Sequence, residues 1–150
     1  LPISLKEGAI VAGASAEDAE NLYNYGIHVG LGFQLMDDLL DVYGDSSNFG
    51  KKIGGDILCN KKTFLFINAL LSEEVKADLI SWVNKENYDA AEKIKAVTAI
   101  YNKLNLKQKS EDLINDYYKQ AVTCLDKVSI DASRKKELYK LAESLMTRIS

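Results

Sequence analysis

The sequence predicts an all-α fold, on three observations. Only one proline and nine glycines occur in 150 residues, of which 47% are hydrophobic, a composition typical of a helical chain of one-domain size. Apolar side chains recur at helical spacing along most of the chain, which favours amphipathic helices. No stretch shows the alternation of apolar and polar side chains that marks a half-buried strand.

The first two helices are predicted from their boundary signals. An apolar segment over residues 1–13 ends in glycine, and Ser15 is expected to cap a long second helix that runs to about Tyr43, with Asp18 at the capping-box position. Glycines inside this second helix each cost about 1 kcal/mol relative to alanine, so we expect close packing there or space kept for a ligand. They are Gly26, Gly30 and Gly32, of which Gly30 best suits a ligand.

Further amphipathic helices are expected towards the C-terminus. Residues Lys61 to Leu71 form one, and Ser72-Glu73-Glu74 is expected to cap the next. Helical spacing predicts inward-facing side chains in the later segments. They are Val75, Leu79, Trp82 and Val83, then Ile94, Val97 and Tyr101, then Ile114, Tyr117, Tyr118, Ala121 and Leu125, and finally Leu138, Leu141, Leu145 and Ile149.

An acidic stripe on the second helix is the most informative feature of the chain. At about 100° per residue, Asp37, Asp38 and Asp41 share about 100° of arc, and Gln34 falls among them. The rest of that helix is apolar, which indicates a buried helix. Buried carboxylates repel one another unless a cation neutralises them, and oxygen ligands favour Mg²⁺. The stripe therefore predicts a metal–phosphate site, with an ordinary solvated acidic face as the alternative.

The segment after the stripe favours the metal–phosphate interpretation. Four of the nine glycines lie between residues 44 and 55, and lysines follow at 51–52 and 61–62. Glycine lets backbone amides approach phosphate closely, and lysine supplies a positive charge for it. Carboxylates beside such a segment suit a diphosphate that is bridged by a metal ion.

Together these motifs resemble a known family, the trans-isoprenyl diphosphate synthases or polyprenyl synthetases. The elements that carry the resemblance are Gly32-Phe33-Gln34, Asp37-Asp38-x-x-Asp41, Gly50-Lys51, Gly55-Asp56 and Lys61-x-Thr63, in the order of the family's second aspartate-rich region. The specific match covers roughly residues 8–65. The family's first aspartate-rich motif does not occur here, so we interpret residues 1–150 as the C-terminal half of a single helical domain of the isoprenoid synthase type, without its N-terminal half.

The resemblance implies a Mg²⁺-assisted prenyl transfer, in which an allylic diphosphate ionises and condenses with isopentenyl diphosphate. It implies that Asp37 is the leading metal ligand and that Asp38 and Asp41 are further ligands. Asp37, Asp38 and Lys51 would be the catalytic residues.

The same resemblance implies the substrate contacts. Lys51 and Lys61 would contact diphosphate oxygens, and Asp56 would orient a lysine or a water molecule. Phe33 and Gln34 would lie beside the reacting carbons. The family further implies a homodimer, and we expect a cytoplasmic enzyme. The 150-residue chain alone is expected to be inactive, because carboxylates on one helix supply only one side of a multi-metal diphosphate clamp.

Two other functions stay open from the sequence. One is a class I terpene cyclase or a squalene synthase relative, against which the Gly50-Lys51 to Lys61-x-Thr63 continuation argues. The other is a non-catalytic partner subunit of a heteromeric synthase. The intact carboxylates and Lys51 argue against that second alternative, because a purely structural partner need not keep charged ligands.

Several other features favour ordinary structural roles. Residues 76–150 carry 14 bases and 11 acids, but these alternate on the outer faces of helices, which favours solvated surface over nucleic-acid binding. Cys59 and Cys124 lie far apart, so no zinc site is indicated. His28 lies opposite the stripe and is expected to pack, and Lys52 and Lys62 are expected to face solvent. No apolar run reaches membrane-spanning length.

Overall fold

A computed structural model describes residues 1–44 and 53–147 and confirms the all-α prediction, with eight helices and no strand in those ranges. The helices are α1 (Pro2–Val11), α2 (Ala16–Tyr43), α3 (Gly55–Leu58), α4 (Phe64–Leu71), α5 (Lys76–Asn84), α6 (Ala90–Lys103), α7 (Leu106–Asp126) and α8 (Ala132–Thr147). None of the described helices is both long and apolar enough to cross a membrane.

The chain divides into two compact units. The first, here called the terminal unit, combines Leu1–Met36 with the segment from Glu111 onward, and the second, the central unit, is Asp37–Ser110. Helices α2 and α7 each contribute residues to both units. The acidic stripe belongs to the central unit.

The terminal unit confirms the predicted start of α2. The Ser15 Oγ accepts a hydrogen bond of 3.0 Å from the Asp18 backbone N–H, as expected for a capping serine. The Asp18 carboxylate accepts hydrogen bonds from the backbone N–H and the hydroxyl of Ser129. Those bonds tie the beginning of α2 to the residues that follow α7.

The glycines of α2 differ in what surrounds them. A Cβ on Gly26 would lie 2.7 Å from the Pro2 Cα, and one on Gly32 would lie 2.8 Å from the Leu145 Cδ1. These two glycines are therefore needed for close packing of α2 against α1 and α8. A Cβ on Gly30 would meet nothing within 4 Å, so packing among the described residues does not require a glycine there.

The central unit has its own apolar core, in which α4, α5 and α6 pack together. Val75, Leu79, Val97 and Tyr101 are buried as helical spacing predicted, and Trp82, Val83 and Ile94 pack against them partly buried. In the terminal unit, Ile114, Ala121, Leu125 and Leu145 are likewise buried, whereas Tyr117, Tyr118, Leu138 and Leu141 are partly buried. Ile149 lies outside the described residues.

Two predicted helix starts are wrong, and one helix was not predicted. Helix α4 begins at Phe64 rather than Lys61, because the Thr63 side chain caps it by accepting a hydrogen bond from the Phe66 N–H. Ser72 does not cap α5; it ends α4, and its carbonyl accepts the N–H groups of Val75 and Lys76, so α5 begins at Lys76. The helix that was not predicted is the single turn of α3, which lies within the glycine-rich segment after the stripe.

Candidate functional site

The acidic stripe lies at the C-terminal end of α2 and is graded in exposure. Asp38 is buried, with 5% of its surface exposed, whereas Asp41 is partly buried and Asp37 is exposed. The prediction that α2 is buried nearly all round is wrong at Leu31, which is 40% exposed in the structure. Only one of the three carboxylates therefore carries the full cost of burial.

Lys61 supplies the positive charge beside the buried carboxylate. Its Nζ lies 2.9 Å from the Asp38 Oδ1 and 2.8 Å from the Asp56 Oδ2. The hydrogen bonds to Asp56 and Asp38 raise the pKa of Lys61, so the ammonium stays charged at neutral pH. Burial raises the pKa of Asp38, and the bond from Lys61 opposes that rise. One lysine thus bridges two carboxylates that lie 18 residues apart in sequence.

Asp41 connects the stripe to the beginning of α3. Its Oδ2 accepts a 2.9 Å hydrogen bond from the Asp56 backbone N–H, and its carbonyl accepts a 2.7 Å bond from the Gly54 N–H. Gly54 has a φ of 86°, and a Cβ there would lie 2.6 Å from side-chain atoms of Ile94. Glycine is needed at this turn for both reasons. The Asp41 carboxylate therefore places Asp56, which in turn contacts Lys61.

The structure brings four of the predicted site residues together in the central unit. Asp38, Asp41, Asp56 and Lys61 form a connected set of ion pairs and hydrogen bonds. The set includes the expected contact between Asp56 and a lysine. Lys62, next in sequence to Lys61, is exposed, as predicted.

The other predicted residues are not part of that set. Phe33 and Gln34 belong to the part of α2 in the terminal unit, where Phe33 is partly buried and Gln34 is exposed. Lys51, with its neighbours Gly50 and Lys52, lies outside the described residues. His28 packs beside the Tyr117 ring, with 6.0 Å between the ring centroids, as expected for a packed histidine.

The stripe fits a hard cation by its donor chemistry. Asp37, Asp38 and Asp41 offer only carboxylate oxygens, the ligand type that Mg²⁺ prefers, and burial of Asp38 favours a positive partner. Within residues 1–44 and 53–147, no three acidic, histidine or cysteine side chains are grouped closely enough to hold a metal ion. The described carboxylates therefore do not form a metal site by themselves, and a cation at the stripe would need further ligands.

The sequence interpretation missed Asn60 and Lys93, which lie next to the set formed by Asp38, Asp41, Asp56 and Lys61. Lys93 is buried, with 1% of its surface exposed, and its Nζ donates a 2.9 Å hydrogen bond to the Asn60 Oδ1. The sequence did contain a signal for its burial. Lys93 lies at helical spacing with Val97, Ile100 and Tyr101, which are all buried, but a lysine on an apolar face is ordinarily expected at the surface.

Comparison with known families shows which proteins the chain is similar to. The family model of polyprenyl synthetases matches residues 1–101 of the chain. Component 2 of heptaprenyl diphosphate synthase from Geobacillus stearothermophilus is 34% identical over 131 residues, which cover 87% of this chain and 40% of that protein.

Solved structures agree in fold. A crystal structure of a geranylgeranyl pyrophosphate synthase superposes with a TM-score of 0.87 at 36% identity, over 99% of this chain and 47% of that one. The geranylgeranyl pyrophosphate synthase from Corynebacterium glutamicum, complexed with isoprenyl diphosphate and magnesium, gives a TM-score of 0.79 at 32% identity, over 94% of this chain and 40% of that one. The chain spans less than half the length of each of these proteins.

Proposed function

Because the chain belongs to the polyprenyl synthetase family, we propose that it carries one of two diphosphate-binding halves of a prenyl diphosphate synthase. The complete protein would condense an allylic diphosphate with isopentenyl diphosphate and release pyrophosphate. The family match favours this reaction over the terpene-cyclase alternative. The observation that carries the proposal is the Lys61 ammonium held between Asp38 and Asp56 at 2.9 and 2.8 Å.

The chemical demand of this reaction is the stabilisation of the leaving group. Negative charge develops on pyrophosphate as the allylic carbon–oxygen bond breaks, so charged groups that are already in place lower the barrier. Lys61 is proposed for that role because it carries a positive charge beside the stripe and its side chain is 49% exposed. Lys51 is proposed for a second contact of the same kind.

The carboxylates of α2 would hold the metal. Bound Mg²⁺ would neutralise charge on the diphosphate, and Asp37, Asp38 and Asp41 are its proposed ligands in this half. Asp37 is exposed and so is the most accessible of the three to a cation. Phe33 and Gln34 are proposed to border the reacting carbons, where apolar surroundings protect an allylic cation from water.

The test compares neighbouring lysines in the complete protein that contains this chain. Purified protein is incubated with geranyl diphosphate, isopentenyl diphosphate and Mg²⁺, and products are separated by chromatography. Lys61→Met should lower kcat/KM roughly 10- to 150-fold. This factor corresponds to a loss of about 1.5–3 kcal/mol, as expected for a charged hydrogen bond. Lys62→Met, which removes the adjacent exposed lysine, is the matched control and should change it little. Equal losses at both positions would contradict the assignment of Lys61.

Three further variants test the metal ligands. Asp37→Ala should reduce turnover by orders of magnitude, with smaller losses for Asp38→Ala and Asp41→Ala. If Asp37→Ala kept both its rate and its dependence on Mg²⁺, Asp37 would not be a ligand. The 150-residue chain alone should show no turnover in the same assay, since its carboxylates supply one side of the ligand set.

A two-component synthase is the second candidate, because the Geobacillus relative is by name one component of such an enzyme. We propose a catalytic chain instead, on the ground that the acidic residues and Lys61 form an intact set of contacts, and a homodimer because the family resemblance implies one. Sedimentation of the complete protein measures the number of subunits. An inactive complete protein that gains activity only with a second polypeptide would favour the two-component alternative.

A further inference from the structure

We infer that Lys93 is a positioning residue for Lys61 and acts through the side chain of Asn60. The kinetic part of this inference rests on the proposed function, whereas its structural part does not. The three residues lie in the central unit, in the first turn of α6 and in the segment between α3 and α4.

Asn60 is the point at which the chain turns towards the candidate site. Its φ is 51°, in the left-handed region that only a few residue types tolerate. The next residue is Lys61, whose backbone N–H donates a 2.9 Å hydrogen bond to the Asp56 carbonyl. The conformation at Asn60 therefore sets the direction in which the Lys61 side chain leaves the backbone.

Lys93 holds that turn from the interior. Its Nζ donates the 2.9 Å hydrogen bond to the Asn60 Oδ1 and lies 4.4 Å from the centroid of the Tyr88 ring. An apolar side chain of similar length would fill the same space without the cost of desolvating an ammonium group. What the lysine adds over such a side chain is the hydrogen bond to Asn60 and the contact with Tyr88.

The neighbouring residue of α6 holds the other end of α3. Ile94 packs against Gly54, where even a Cβ would come within 2.6 Å of it. Adjacent residues of one rigid helix thus contact the segments on both sides of α3. Along the sequence, Asp56 lies between Gly54 and Asn60, the two residues that α6 contacts, and Lys61 directly follows Asn60. This arrangement explains how Asp56, on a helix of only four residues, and Lys61, which follows that helix, meet in a defined geometry, with Lys61 also reaching Asp38.

Kinetics of the complete protein separate positioning from simple packing. Lys93→Met keeps the apolar stem and should lower kcat/KM by about tenfold or more, because small misplacements of a catalytic group are costly. Lys95→Met, on the exposed side of the same helix, is the matched control and should have little effect. In a Lys61→Met background, Lys93→Met should cause no further loss. An equal fold-loss in both backgrounds would show that Lys93 acts only on overall packing and would overturn the inference.

Asn60→Gly provides a second route to the same bond. Glycine adopts the left-handed conformation readily, so this variant removes the acceptor while the turn stays accessible, and it keeps the test decisive if Lys93→Met does not fold. By itself it should lower kcat/KM by about tenfold or more, with no further loss in a Lys61→Met background. Where Lys93→Met folds, the double variant should be no worse than either single one. Additive losses would contradict the proposed coupling.

A structural readout distinguishes failure of this inference from failure of the proposed function. Nitrogen-15 NMR of lysine ammonium groups, assigned with Lys61→Met, reports whether the Lys61 ammonium is held by its two carboxylates. Lys93→Met should shift and broaden the Lys61 signal, and Lys95→Met should leave it unchanged. A protein without prenyl transfer that still shows this shift refutes only the proposed function. An unchanged Lys61 signal in Lys93→Met refutes the positioning role.

Discussion

Replacement of Gly54 by alanine tests the geometry that joins α2, α3 and α6. At its φ of 86°, any side chain costs about 1–2 kcal/mol. A Cβ would also lie 2.6 Å from the Cδ1 and Cγ1 of Ile94, and overpacking of this kind costs about 1–3 kcal/mol. We therefore expect Gly54→Ala to lower the free energy of unfolding by about 2–5 kcal/mol.

Gly13→Ala is the matched control, because it separates backbone strain from crowding. Gly13 has a similar φ of 80°, but a Cβ there would meet nothing within 4 Å. Its replacement should cost only the backbone part, about 1–2 kcal/mol. The difference between the two variants then measures the contact with Ile94.

Urea unfolding followed by two probes provides the assay. The single tryptophan, Trp82, lies in the central unit and reports on it by fluorescence, while circular dichroism reports on all helices. Adding Ile94→Ala should recover part of the loss in Gly54→Ala, because that change removes the crowding atoms. Equal losses for Gly54→Ala and Gly13→Ala, with no recovery by Ile94→Ala, would refute the packing described for α3 and α6.

Two further predictions concern the terminal unit. Gly30→Ala and Gly8→Ala should each stabilise a helix by about 0.5–1 kcal/mol, since neither Cβ would meet anything within 4 Å. Only Gly30→Ala should also lower kcat/KM. If the two variants were equally active, no substrate would use the space beside Gly30. Hydrogen bonds from Ser129 hold the pKa of Asp18 below its ordinary value of 3.8, so its carboxylate stabilises the fold above that pH and loses this effect as the pH falls through the lowered pKa. Urea unfolding of the wild type and Asp18→Asn should differ at neutral pH and converge in acid, and a pH-independent difference would contradict this.

Local patterns in the sequence determined most of the helices and their buried faces. Ser15 predicted the start of α2 because a capping hydroxyl needs only the next turn of its own helix. Val75, Leu79, Val97 and Tyr101 were predicted inside because helical spacing places them on one face, and that face is buried in the structure. The acidic stripe was predicted in the same way, since its residues lie within two turns of one helix.

Helix boundaries that depend on competing hydrogen bonds were decided by the fold. Ser72 has the side chain of a good helix cap, but its backbone carbonyl accepts hydrogen bonds in the turn that ends α4. At the other end of α4, Thr63 is the N-terminal cap, so the helix begins after Lys61 rather than at it. A sequence pattern identifies residues able to cap, whereas the path of the chain selects the one that does.

The choice of partners at the candidate site came only from the tertiary structure. Asp37 and Asp38 are adjacent and chemically identical, yet only Asp38 is buried and paired with Lys61. The resemblance favoured Lys61 over Lys62 for a diphosphate contact, but the pairing of Lys61 with Asp38 and Asp56, after the turn at Asn60, came only from the structure. Contacts between residues far apart in sequence depend on how α3 packs on α6, because a side chain's direction is set by the backbone that carries it.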